Sequence, residues 1–195
     1  MTSLLLAAAL RLLVETELGA FTLELDDARA PVTTRNFLRY VDAGHYDGGS
    51  FFRTVRADNQ GAARVPIAVI QAGVLAEREP DDFPPIGLER TRDTGLRHVD
   101  GALSMARDGP DSATSSFFLC VGDQPELDFG GRRNPDGQGF AAFGRVASGM
   151  DVVRRIHAAP ADGERLAPSV RIQRVRRVGA PPATQAREDQ TSGTA

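Results

Sequence analysis

The sequence predicts a mostly β domain: a closed, eight-stranded antiparallel barrel capped by two α-helices. Three observations carry that expectation. Apolar residues alternate with polar ones in short runs, the period of a half-buried strand. Only two segments have helical spacing against about eight short strands, too few for a parallel sheet in which a helix crosses over between successive strands. The connections are rich in Gly, Pro and Asp, as tight turns require.

The elements follow in order along the chain. Arg11 to Leu18 and Ala20 to Leu25 read as strands meeting at Gly19, with Phe21, Leu23 and Leu25 alternating with Thr22 and Glu24. Pro31 to Ala43 reads as a helix. Pro31 suits its first turn, Phe37, Leu38 and Val41 form an apolar stripe, and Gly44 ends it. Short strands are expected near Ser50–Val55, Ile67–Gln71, Gly101–Ala106, Phe117–Val121 and Ala141–Val146. A second helix is expected over Met150 to His157, with Val152, Val153 and Ile156 on one face, and Val170 to Val178 closes the set as a strand. Asn134-Pro135-Asp136-Gly137 is a strong turn signal.

A chain of 195 residues accommodates one ordinary domain with short tails. We expect the domain over residues 11–179, a leading segment over 1–10 and a disordered tail over 180–195, which lacks apolar periodicity. Leu4 to Leu10 is apolar but has no Lys or Arg before it and is far too short to span a bilayer, so a short lead into the first strand is favoured over the remnant of a secretory signal. A cytoplasmic location is the matching expectation, with export the alternative. Net charge is −3, so no global basic field draws the chain to nucleic acid or anionic lipid. All 23 cationic residues are Arg, a bias of composition rather than a phosphate-binding signal. One cysteine, Cys120, excludes an intramolecular disulfide.

Most catalytic signatures are missing from the sequence. His45, His98 and His157 are scattered without metal-ligand spacing, and there is no nucleophile elbow, phosphate loop or zinc-protease motif. Gly137-Gln138-Gly139 lacks the strand and helix that a dinucleotide site needs. Taken on the residues alone, Arg53 reads as half of a surface ion pair, and Phe118 and Val69 as core.

A series of segments changes that reading. Ile70-Gln71-Ala72-Gly73 is followed by Gly101-Ala102-Leu103-Ser104-Met105-Ala106-Arg107, then by Ser115-Ser116-Phe117-Phe118-Leu119. Phe51-Phe52-Arg53-Thr54-Val55 precedes them, and Phe143-Gly144-Arg145-Val146 and Gly149-Met150-Asp151-Val152-Val153 close the series. In this joint order, over roughly Leu12 to Val178, they resemble the cyclophilin family of peptidyl-prolyl isomerases. The resemblance implies rotation about Xaa-Pro bonds without metal or cofactor. Its partners are proline-containing peptides and unfolded protein clients, with no nucleic acid or membrane, and it acts as a monomer.

Residue by residue, the resemblance gives Arg53 the role of catalytic cation and Gln71 that of its orienting partner. Phe118 becomes the aromatic floor of a proline pocket and Leu127 an apolar wall. Val69 stands where the family usually has methionine, and Ala106 and Arg107 lie on the strand whose backbone pairs with substrate. There are departures. The stretch between Arg53 and Gln71 is longer than usual, around Arg56 to Val65, and we expect an exposed, substrate-selecting loop there. A pocket phenylalanine falls on Ala68, the family glutamine before the Phe-Phe pair is Ser116, the pocket histidine is Phe140, and the tryptophan of drug-sensitive members is Glu126. A binding module with this fold and little turnover is the alternative to the enzyme.

Overall fold

The computed structural model describes residues 10–61, 65–75 and 83–179. The leading segment and the tail expected at the two ends lie outside the described residues, except for Leu10. The element order is β1 (Leu10–Thr16), β2 (Gly19–Leu25), α1 (Pro31–Asp42), β3 (Ser50–Val55), β4 (Val69–Gly73), α2 (Thr91–Thr94), β5 (Ala102–Met105), β6 (Phe117–Cys120), β7 (Ala141–Ser148), α3 (Met150–His157), β8 (Ala161–Asp162) and β9 (Arg165–Val178). Neighbours in the sheet run β1-β2-β7-β5-β6-β4-β3-β9-β8, and β9 also pairs with β1. That last pairing closes eight strands into an antiparallel barrel, with β8 a two-residue ribbon on the start of β9.

Period-two alternation decides which side chains fill the barrel. Phe21, Leu23, Leu103 and Phe117 are buried in it, as their alternation predicts. Phe37 of α1 enters the same core and meets Phe117 edge-on at 5.1 Å. Val152, Val153 and Ile156 of α3 are buried there too. The alternate residues Val55, Val69, Ala102, Phe118 and Cys120 form a second apolar cluster on the outer face of the sheet. The two expected helices are present. The one-turn α2 was not anticipated, since Thr-Arg-Asp-Thr carries no apolar periodicity.

Both principal helices are capped from a distance. The residue before α1 is Ala30, which has no side-chain acceptor. Glu89 supplies one: its carboxylate accepts from the N–H groups of Val32 (3.1 Å) and Thr33 (2.8 Å) and from the Thr33 hydroxyl (2.6 Å). A carboxylate there also suits the positive end of the helix dipole. α3 is preceded by Gly149, where φ is +82° and an added Cβ would come within 2.7 Å of the Phe21 Cβ, so only glycine fits. Beyond its other end, Arg56 donates from Nη1 to the carbonyls of His157 and Ala159, both at 3.0 Å.

That contact also ties down the loop after β3, which was expected to be exposed and is exposed at Ala57, Asp58 and Gly61. Asn59 Nδ2 donates to the carbonyls of Thr54 and Gly163, and Gln60 bonds the backbone of Arg56 and Ile67. The described first half of the longer stretch is therefore part of the frame. The last strand also starts earlier than expected, at Arg165 rather than Val170, because Arg165 and Leu166 pair with β8 although Arg165–Ser169 has no alternating polarity.

Candidate active site

A single irregularity in β3 builds the site. Phe51 pairs with Ala72 of β4, yet the next pair is Arg53 with Gln71, so Phe52 is an extra residue in the ladder. Phe51 points into the barrel, whereas Arg53 lies on the outer face with Gln71, Val69 and Val55. In a regular strand, residues two apart share a face. The bulge shifts the phase by one and brings the cation out.

There Arg53 edges a cavity of about 250 Å³ lined by Ile67, Val69, Gln71, Ala106, Arg107, Asp108, Phe118, Leu127, Arg133 and Phe140 as well. Nη1 of Arg53 donates to Gln71 Oε1 at 2.8 Å. Nε and Nη2 donate to Glu164 Oε2 at 2.9 and 2.6 Å. A guanidinium has five N–H donors. Among the described residues these bonds engage one on each nitrogen, leaving one on Nη1 and one on Nη2.

The floor is aromatic. Phe118 of β6 neighbours Gln71 across one ladder and Ser104 across the other. Phe140 stands perpendicular to it at 5.5 Å. Leu127 comes from a 3-10 turn, Pro125–Leu127, and its carbonyl accepts from the Phe140 N–H at 3.0 Å. Ile67 packs with Val55 and Val69 and supplies apolar bulk beside Ala68, where the resembled family carries an aromatic ring.

Behind Phe118 lies a buried polar row. The His98 ring stacks on Phe118 at 5.9 Å, with Nδ1 2.8 Å from Asp128 Oδ1 and Nε2 2.9 Å from Ser104 Oγ. Burial resists ionisation of Asp128, but hydrogen bonds and charge from His98, with Arg97 adding to them, hold its carboxyl below the usual range. An Asp–His–Ser row can activate a serine, but Ser104 is 0% and His98 1% exposed. No substrate carbonyl reaches that hydroxyl, so the row serves as a hydrogen-bonded base under the Phe118 ring. Cys120 is likewise buried, and burial pushes its thiol pKa up, out of reach of nucleophilic use.

Of the side chains expected from sequence, Arg53, Gln71, Val69, Ala106, Phe118, Leu127 and Phe140 converge on the cavity. Arg107 lines it in another way than expected. Its side chain is 1% exposed and ties down the following loop through the Gly139 carbonyl and both oxygens of Asp136. Gly139 meets this at φ +68°, with its Cα facing the Asp128 and Phe129 backbone so closely that an added Cβ would sit 2.6 Å away. The Ala106 N–H is already bonded to the Ser116 carbonyl at 2.9 Å. Ser116 is not among the lining residues; its hydroxyl donates to the Ala72 carbonyl at 3.2 Å. Glu126 does not line the cavity either, being paired with Arg132 at 2.8 Å. Sequence reasoning missed Ile67, Asp108, Arg133 and Glu164. Among the described residues no group of three or more His, Cys, Asp or Glu side chains is placed to hold a metal ion.

The family model for cyclophilin type peptidyl-prolyl cis-trans isomerases matches residues 11–177. The chain is 38% identical over 147 residues to peptidyl-prolyl cis-trans isomerase A of Dickeya dadantii, covering 74% of this chain and 69% of that one. It is 38% identical over 144 residues to peptidyl-prolyl cis-trans isomerase cyp18 of Streptomyces antibioticus, covering 73% and 80%. The fold superposes on a Cryptosporidium parvum cyclophilin type peptidyl-prolyl cis-trans isomerase with a TM-score of 0.71 at 19% identity, over 89% of this chain and 99% of that one.

Proposed function

The chain belongs to the cyclophilin-type peptidyl-prolyl cis-trans isomerase family, and from that premise we propose that Arg53 is its catalytic cation and the Phe118 cavity its proline seat. A prolyl amide rotates over a barrier of ~18–20 kcal/mol because C–N resonance must be broken. At the twisted geometry the nitrogen pyramidalises and its lone pair becomes able to accept a hydrogen bond. A donor aimed at that lone pair favours the twisted state over both planar isomers, the condition for catalysis. Arg53 suits this role because a guanidinium stays charged and, among the described residues, has one N–H left on each terminal nitrogen.

The ring is held by apolar contact. Phe118, Leu127, Val69 and Ile67 give the proline a dry face, while Phe140 closes the side beside Phe118. Gln71 fixes one terminal nitrogen of Arg53. A second Cryptosporidium parvum structure, with a TM-score of 0.66 at 18% identity, was determined in the presence of the dipeptide Ala-Pro, which supports proline-containing segments as the ligand class. Flexible or unfolded proteins are the source of such segments. The large exposed apolar side chains among the described residues are Leu18 and Val99 in connections, Val32 on α1 and Phe52 on β3. That supports action as a monomer.

The observation that carries this reading is the phase shift at Phe52, which places a braced guanidinium on the rim of an aromatic-floored cavity. Exchange spectroscopy on a Xaa-Pro peptide tests it, with catalysed cis–trans exchange as the expected result. A natively folded protein that binds the peptide without accelerating exchange would make it a binding module instead.

A further inference from the structure

We propose that Glu164 is a positioning residue for Arg53, its carboxylate setting the direction in which the guanidinium presents its remaining N–H groups. This rests on the catalytic reading of Arg53 above. The motifs that carry the family resemblance do not include Glu164, and it is absent from the cavity lining.

The geometry is that of a brace. Gln71 holds Arg53 at one point, Nη1, and a planar group held at one point can swing. Glu164 Oε2 takes the opposite edge, accepting from Nε at 2.9 Å and Nη2 at 2.6 Å. Contacts on both edges fix the plane and leave the ends of Nη1 and Nη2 for substrate.

The brace is itself anchored. Gly163 (φ +56°) and Glu164 form the two-residue turn between the paired residues Asp162 and Arg165. The Glu164 carbonyl accepts from the Thr54 N–H at 2.8 Å, and the Gly163 carbonyl accepts from Asn59 Nδ2 at 2.9 Å. The turn is thus stitched to the residue following Arg53 and to the longer loop after β3. The ladder also sets Arg165 opposite Arg53. Like charges at that spacing repel, and a carboxylate beside Arg53 offsets the repulsion.

Glu164 also cancels part of the field of Arg53, so it contributes direction at some cost in charge. Three substitutions separate these effects. Glu164→Ala removes both, Glu164→Gln keeps the acceptor oxygen without charge, and Glu164→Asp keeps the charge but withdraws the oxygen by one methylene.

The test uses the full chain and a Xaa-Pro peptide, with kcat and KM taken from exchange spectroscopy across a concentration series. Glu164→Ala and Glu164→Asp are expected to lower kcat about tenfold with KM unchanged, as a lost orientation does. Glu164→Gln is expected to restore most of that loss. In an Arg53→Ala background Glu164→Ala should cost nothing further, because the brace then has nothing to hold. The Arg53 Nε–H proton signal should be protected from water in the unmodified protein and in Glu164→Gln, and lose protection in Glu164→Ala. Unchanged kcat in both Glu164→Ala and Glu164→Asp would overturn the assignment, as would an equal loss in the Arg53→Ala background. Those results leave the isomerase reading intact. Failure of the unmodified protein to turn over would instead overturn the catalytic reading and this assignment with it.

Discussion

Replacing Arg53 by Ala separates transition-state stabilisation from binding. The side chain makes no apolar floor; the proposed proline seat consists of Phe118, Leu127, Val69 and Ile67, which line the cavity. Peptide affinity should therefore change little. What is lost is a charge-assisted hydrogen bond to the pyramidal nitrogen, worth ~1.5–3 kcal/mol, or a roughly ten- to hundred-fold fall in kcat. The fold should hardly notice. The Arg53–Glu164 pair is 30% and 21% exposed, so solvent screens it and its loss costs about 1 kcal/mol at most. Arg53→Lys should recover little, because an ammonium lacks the planar fork that engages Gln71 and Glu164 together. Phe118→Ala should weaken binding as well as turnover, since it removes the floor. Exchange spectroscopy with a peptide titration measures both quantities, and a thermal melt reports the fold. A natively folded Arg53→Ala protein with undiminished kcat would refute the reasoning.

His157 gives a pH dependence. Its pKa is lowered, chiefly by burial and also by Arg56, while its Nε2 lies 2.9 Å from the Val55 carbonyl. The folded state therefore binds fewer protons than the unfolded one below the unperturbed value of 6.5. The stabilisation is complete above that value and is lost as pH falls through the lowered folded one. Urea midpoints at pH 7.5 and 5.5 should show the loss, and His157→Gln should flatten it; equal slopes in the two proteins would count against this. Glu89→Ala should uncap α1 and cost ~0.5–2 kcal/mol in urea denaturation, whereas an unchanged midpoint would mean that water replaces the carboxylate freely. Asn59→Ala should cost ~1 kcal/mol or more, since the Thr54 and Gly163 carbonyls lose a donor. A thermal midpoint equal to that of the unmodified protein would show the loop after β3 to be dispensable.

The barrel was legible because most of its strands are short and the first ones alternate cleanly. Phe21 and Leu23 announce one buried face, and the helices at Pro31 and Met150 have both periodicity and start signals. The residues at the cavity were legible only through resemblance, because period two puts Phe51 and Arg53 on the same face and the bulge at Phe52 leaves no sequence mark. Glu164 was hidden for a different reason. Its partner lies 111 residues away, and only the Asp162-Gly163 turn signal hints at a hairpin there. Arg107 was expected for its backbone; the task of its buried side chain, tying down the loop at Asp136 and Gly139, rests on partners about thirty positions away. The cap on α1 escaped similarly, since Glu89 is 57 positions from Val32.

The strand that closes the ring has a consequence for how the chain is made. β9 hydrogen-bonds with β1, β3 and β8, and its pairing with β1 joins residues more than 150 positions apart, such as Arg11 and Val178. On a ribosome, β1 and β3 each present one unsatisfied edge until that last strand emerges. Open edges of this kind recruit strands from other chains. A nascent barrel is thus most exposed to aggregation just before completion, and its folding must wait on its most distant contact.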